Sequence, residues 1–125
     1  MKKTFLALTL CALCFVACAD KELSPFEKRV AEKINFIKVD KSIVKAFNYR
    51  TNANGLLEFE LVLLSDDDMK LDYMVSWKDE DGFALKAPTD GEFIELKLQK
   101  SKEFLLQRVA TNKEAIDFTL NLRKK

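Results

Sequence analysis

From Ile34 onward the apolar residues recur at every second position, and this period constrains the fold more than any other feature of the chain. An alternation of this kind gives one oily face and one wet face only when the backbone is extended. Leu57, Phe59, Leu61 and Leu63 show it, interleaved with Glu58 and Glu60. So do Leu71, Tyr73, Val75 and Trp77 against Asp72, Met74, Ser76 and Lys78, and Ile94, Leu96 and Leu98 against Glu95 and Lys97. The last clear case is Ile116, Phe118, Leu120 and Leu122 against Asp117, Thr119, Asn121 and Arg123. Segments 35–39, 43–49, 83–86 and 103–109 repeat the pattern more weakly. Turn-forming residues fall between them at Asn52-Ala53-Asn54-Gly55, Ser65-Asp66-Asp67-Asp68, Asp79-Glu80-Asp81-Gly82, Asp90-Gly91 and Lys100-Ser101. Seven to eight short strands with turns at this spacing predict a mainly all-β fold, an antiparallel β-sandwich. Within strand 56–64 the run Leu61-Val62-Leu63-Leu64 is apolar on both faces, so its second face needs a cover.

One helix precedes the strands. Ser24-Pro25-Phe26-Glu27 has the form of a helix start, with Ser24 as N-cap, Pro25 at the first helical position and Glu27 three residues after the cap. Phe26, Val30 and Ile34 then recur at helical spacing, which predicts a helix over 25–33. This helix is the expected cover for the second face of strand 56–64.

The first 17 residues read as an export signal rather than as part of a fold. Lys2 and Lys3 supply a positive start, Thr4 to Val16 an apolar run, and Phe15-Val16-Ala17-Cys18 a cleavage site. The run is too short to span a bilayer, which takes about 20 apolar residues. The pattern resembles the lipobox of bacterial lipoproteins, which implies a diacylglyceryl group on the Cys18 sulfur and acylation of the new amino terminus. Cys18 is thus the expected lipid-attachment residue, and Ala19 in place of aspartate implies delivery to the outer membrane. Residues 1–17 are then signal peptide, 18–23 a lipidated tether and 24–125 the sandwich domain. At ~3.3–3.6 Å per extended residue such a tether reaches about 20 Å, so the domain is expected close to its membrane.

Cys11, Cys14 and Cys18 have spacings that suggest metal ligands, yet all three lie in or at the end of the export signal, where no fold presents thiolates. The mature domain is left without a disulfide, and its stability must come from packing. Removing Lys2 and Lys3 from 21 basic residues leaves 19 against 20 acidic ones, a balance that does not favour nucleic acid. Ten phenylalanines with abundant Leu, Ile and Val are enough for a core, and Tyr73 and Trp77 are expected within it.

The stretch Leu71-Asp72-Tyr73-Met74-Val75-Ser76-Trp77, the turn Asp79-Glu80-Asp81-Gly82, Leu96-Lys97-Leu98, Ala110, Ala115 and the closing Leu120-Asn121-Leu122-Arg123 together resemble the YcfL-like family of small bacterial lipoproteins. The resemblance covers roughly 34–123. It implies an immunoglobulin-like sandwich, and it transfers no catalytic residues.

Chemistry is sparse in this chain. There is no histidine, and the mature domain has no thiol besides Cys18, which removes the common Ser-His-Asp, Cys-His and histidine-ligated zinc arrangements. The acidic turns lack the calcium-loop pattern that continues to a bidentate glutamate, and they read as solvated turns. Lys97, Lys100 and Lys102 read as guards of a hairpin edge. No catalytic, metal or cofactor residue is therefore expected, and no cofactor. The expected role is that of a non-catalytic envelope lipoprotein whose domain binds another protein by its loops or by strand addition, with adhesion as one use. Two further readings are a periplasm-facing accessory in envelope assembly and a glycan-active enzyme.

Overall fold

In the computed structural model of the protein, residues 22–86 and 92–125 are described. The helix α1 spans Pro25–Lys33, as the capping signals predict. Ser24 accepts a hydrogen bond from the Glu27 N–H at 3.2 Å, and its hydroxyl donates to Glu27 Oε1 at 3.1 Å. The backbone turns extended at Ile34 and ends the helix.

Seven strands follow: β1 (Ile34–Ile37), β2 (Val44–Thr51), β3 (Leu57–Leu63), β4 (Met69–Lys78), β5 (Ile94–Leu98), β6 (Phe104–Val109) and β7 (Asp117–Lys124). They form a four-stranded sheet in the order β1-β7-β4-β5 and a three-stranded sheet in the order β2-β3-β6. This division is that of a constant-type immunoglobulin sandwich, with a different strand order, since here the second strand belongs to the smaller sheet. All pairings are antiparallel except β1 with β7, which run parallel from Ile34 opposite Leu120 to Ile37 opposite Arg123. The antiparallel expectation gives way there because β1 enters from α1 and lies along the last strand.

The segment 83–86 is not a strand. It makes one isolated bridge, Ala84 to Lys78, within a turn held by Asp79, whose Oδ1 accepts from the N–H groups of Asp81 and Phe83 at 3.0 Å each. Gly82 takes φ +83° there, a conformation that disfavours any side chain. Ile116 also departs from the pattern: β7 begins at Asp117, Ala115 is the buried residue, and Ile116 is 60% exposed. Its N–H donates to the Lys78 carbonyl at 2.9 Å, which ties it to the end of β4 rather than to the core.

The two inner faces meet in an aromatic cluster. Phe118 lies at its centre, with ring centroids 4.9 Å from Phe59, 5.4 Å from Tyr49, 5.6 Å from Trp77 and 6.0 Å from Phe47. Tyr73 and Trp77 are buried, as expected of core residues. The helix packs on β2, β1 and β7, closing the side of the sandwich where the first strands of the two sheets lie. Arg29 Nε donates to the Phe47 carbonyl at 3.0 Å, so the helix satisfies part of the outward edge of β2. It does not cover the second face of β3. There Val62 sits in a row between Ala46 and Leu105, half-buried by those two neighbours.

Lys33 pins the end of the helix by an ion pair with Asp117, its ammonium 5.5 Å from the Tyr49 ring centre. Burial opposes ionisation of Asp117, but the hydrogen bonds from Lys33 and from the Phe118 N–H outweigh it, and its pKa lies below the ordinary aspartate value. Because the folded value is depressed, this contribution is present above the ordinary range and is lost as pH falls through the lowered pKa. Asp117→Asn is expected to lower stability near neutral pH by under about 1 kcal/mol, since the carboxylate is partly exposed. Thermal melts across an acid series should show a shallower pH dependence for the variant than for the wild type, and identical slopes would contradict the assignment.

Candidate binding surface

The strands define two ends. At one end lie the β1–β2 connection, the β3–β4 turn with Asp66, Asp67 and Asp68, and the C-terminal lysines. At the other lie the β2–β3 turn, the segment after β4 and the β6–β7 connection. Contacts of the helix set its direction: Arg29 meets Phe47 while Lys33, one turn later, meets Tyr49 and Asp117. Four helical residues rise ~6 Å and two strand residues ~6.6 Å, so α1 advances alongside β2 and starts near Val44. Ser24, and with it the point where the preceding segment joins the domain, is therefore at the first end.

The opposite end carries the two large apolar side chains that are most exposed among the described residues, Phe83 at 71% and Ile116 at 60%. They flank the end of β4, because Lys78 is bridged by Ala84 on one side and paired with Asp117 on the other. The Asp79 N–H donates to the Phe83 carbonyl at 3.0 Å, and the Leu85 N–H to the Trp77 carbonyl at 2.7 Å, so backbone contacts hold the Phe83 turn against the strand. Sequence periodicity placed Ile116 on the oily face and so missed it as a surface residue. Phe83 was legible only as part of a weak strand.

The acidic turns are used by the fold itself. Asp79 accepts the two turn bonds described above, and Asp68 Oδ1 accepts from the Lys100 N–H at 2.8 Å, joining the β3–β4 turn to the turn after β5. Among the described residues, no group of three or more His, Cys, Asp or Glu converges as metal ligands. Lys97 lies on β5, an edge strand, as the reading of an edge guard requires. Cys18, the expected lipid-attachment residue, lies outside the described residues.

On the outer face of the larger sheet Asp72 is buried at 4% exposure, although alternation placed it on the wet face. Arg123 Nη2 donates to its Oδ2 at 2.9 Å, Lys125 lies 3.8 Å from its Oδ1, and Lys125 also bonds Glu95 at 2.7 Å. Phe93 covers this group, its ring centre 3.7 Å from the Arg123 guanidinium carbon. The outer face of the smaller sheet carries a shallow groove of about 290 Å³ lined by Asn48, Arg50, Glu58, Glu60 and Gln107. Arg50 and Glu58 pair across it at 2.8 Å. The pairing holds the Glu58 carboxyl below its usual range. Glu58 is thus held as a paired carboxylate, and the groove presents a polar surface of both charges.

These features define a small two-sheet β-sandwich with a helix along one side and an exposed apolar pair at one end. Residues 30–124 match the family described as "Protein of unknown function (DUF1425)", and the chain belongs to that family. The protein cj0090 of Campylobacter jejuni, whose crystal structure is known, is 34% identical. It superposes with a TM-score of 0.68 over 74% of this chain and 98% of that one. A DUF1425 family member from Shewanella sp. pv-4 shares the fold at 23% identity and a TM-score of 0.54, over 66% of this chain and 76% of that one. No curated protein matches the chain significantly.

Proposed function

We propose that the protein is a non-catalytic, lipid-anchored lipoprotein of the cell envelope, of the YcfL-like kind, whose sandwich binds another protein through the end that carries Phe83 and Ile116. The observation that supports this most is the position of those two side chains relative to Ser24. A lipid on Cys18 tethers the domain by the end where α1 begins, which leaves the apolar pair pointing away from the membrane. Phe83 and Ile116 flank the end of β4, and a partner that covers that end buries both side chains. The outer membrane is the proposed location, with adhesion or envelope assembly as the process served.

Two experiments test this reading. Palmitate labelling of cells making the wild type should mark the protein, and Cys18→Ser should abolish the label; an equally labelled variant refutes the anchor. A photo-crosslinking residue at position 83 or 116 should then give one discrete protein adduct in living cells, absent when the same probe replaces Asp67 in the β3–β4 turn at the opposite end. Identical adducts at all three positions refute the surface. Protease treatment of intact cells separates surface display, in which the domain is cut, from the periplasmic face, in which it is protected.

A further inference from the structure

Among the described residues, three of the four sheet edges are guarded. The helix packs across β1 and β2, and β5 is short and carries the charges of Glu95 and Lys97. The fourth edge, β6, reads Phe104-Leu105-Leu106-Gln107-Arg108-Val109, with neither lysine nor proline in it and with Arg108, which donates to the Gln107 carbonyl, as its one charged side chain.

The direction of its main-chain groups follows from the register. The Ala110 N–H donates to the Leu57 carbonyl at 2.8 Å, so Leu57 and Ala110 form a hydrogen-bonded pair of the β3–β6 ladder. Such pairs alternate with non-bonded ones, which makes Phe104, Leu106 and Arg108 the residues bonded to β3. Leu105, Gln107 and Val109 therefore aim their N–H and C=O groups at the open edge. The same alternation read on the other side of the sheet is consistent with the Phe47 carbonyl aiming outward to Arg29. The side chains of Leu105, Gln107 and Val109 all stand on the outer face, Leu105 at 52% and Val109 at 45% exposure.

We infer that β6 pairs antiparallel with β6 of a second copy, about a two-fold axis through Gln107. It goes beyond the proposed function and does not depend on the lipid anchor, because it rests on sheet geometry alone. In this register each outward residue meets an outward residue: Leu105 faces the partner's Val109, and Gln107 faces the partner's Gln107. Three such pairs exchange six main-chain hydrogen bonds. Apolar meets apolar on the outer face, and no like charges stand directly opposite one another. Leu106 comes opposite the methylene stem of the partner's Arg108. The turn holding Lys100, Lys102 and Glu103 lies at the same end as the partner's Lys113 and Glu114, so charges of both signs face each other across the axis. Arg108 Nη1 donates to the Gln107 carbonyl at 2.8 Å, and that oxygen keeps a second lone pair for the incoming N–H. A second β6 fits the edge in phase along its whole length, whereas an unrelated extended peptide has no such symmetry to supply.

The test reads the register. Directly paired residues on such a ladder have Cα atoms about 5.5 Å apart, within reach of a disulfide. Mature protein carrying Gln107→Cys, taken from the envelope in detergent and oxidised, should run as a covalent dimer on a non-reducing gel, whereas the wild type should not. Leu105→Cys alone should not cross-link, since its copies lie about 13 Å apart, but mixed with Val109→Cys it should. Absence of the Gln107→Cys dimer, or cross-linking of Leu105→Cys alone, overturns the inference. Gln107→Pro supplies an independent check, because the lost N–H points away from β3 and the fold is kept. It should retain the far-ultraviolet spectrum and raise the dimer dissociation constant at least tenfold, and an unchanged constant with an unchanged spectrum also overturns the inference.

Discussion

Phe118→Ala is expected to destabilise the domain by about 3–5 kcal/mol, the largest effect of any single truncation here. The ring is 1% exposed and touches four other aromatic rings from three strands of both sheets, so its removal leaves a cavity that no single neighbour can fill. It lies stacked on Phe59 at an interplanar angle of 13°, while Phe47 and Tyr49 meet it edge-on. Aromatic pairs of this kind add to simple area burial. Lys33 adds a cation over the ring at 5.9 Å, so the loss should also loosen the end of α1. Urea unfolding should show a lower midpoint with the slope unchanged. A loss under about 1 kcal/mol would mean that the two sheets do not meet through this residue.

Arg123→Ala is the second large effect, about 2 kcal/mol by the same measurement. Removing one partner of a fully buried ion pair costs ~3–5 kcal/mol because the other charge is left without compensation. Here Asp72 is buried, but Arg123 is 42% exposed and Lys125 remains 3.8 Å from the carboxylate, so the cost falls short of that range. The variant also removes the cation from the face of Phe93, which should free the chain entering β5. Faster amide exchange at Phe93 and Ile94 is the local signature. The companion variant Asp72→Asn should be milder, because it removes the buried charge and keeps a hydrogen-bond acceptor. Equal losses in the two variants would show that the buried charge is not the origin of the effect.

The contrast between Asp72 and its neighbours shows where alternation stops being informative. Met74, Ser76 and Asp72 occupy equivalent outward positions on β4, yet only Asp72 is buried. Its cover comes from Arg123, fifty-one residues later, and from Phe93, which closes over that arginine. A similar limit applies at Val62. The apolar run 61–64 correctly signalled a half-covered outer position, but the cover is Ala46 and Leu105 within the same sheet and not the helix.

Local chemistry alone determined the helix over Pro25–Lys33 and the four strongly alternating strands, and marked β1, β2 and β6 more weakly together with the segment 83–86 that is not a strand, because capping, turn residues and an alternating oily face act within a few residues of the chain. It also determined that Tyr73 and Trp77 are core, since large aromatic rings on an apolar face have no better place. Tertiary structure alone decided the parallel pairing of β1 with β7, the exposure of Phe83 and Ile116 and the burial of Asp72. It alone also decided which strand is left with an open edge. Each of these depends on which distant segment comes to lie alongside, and an interaction that spans most of the chain leaves no mark in the local pattern of either partner.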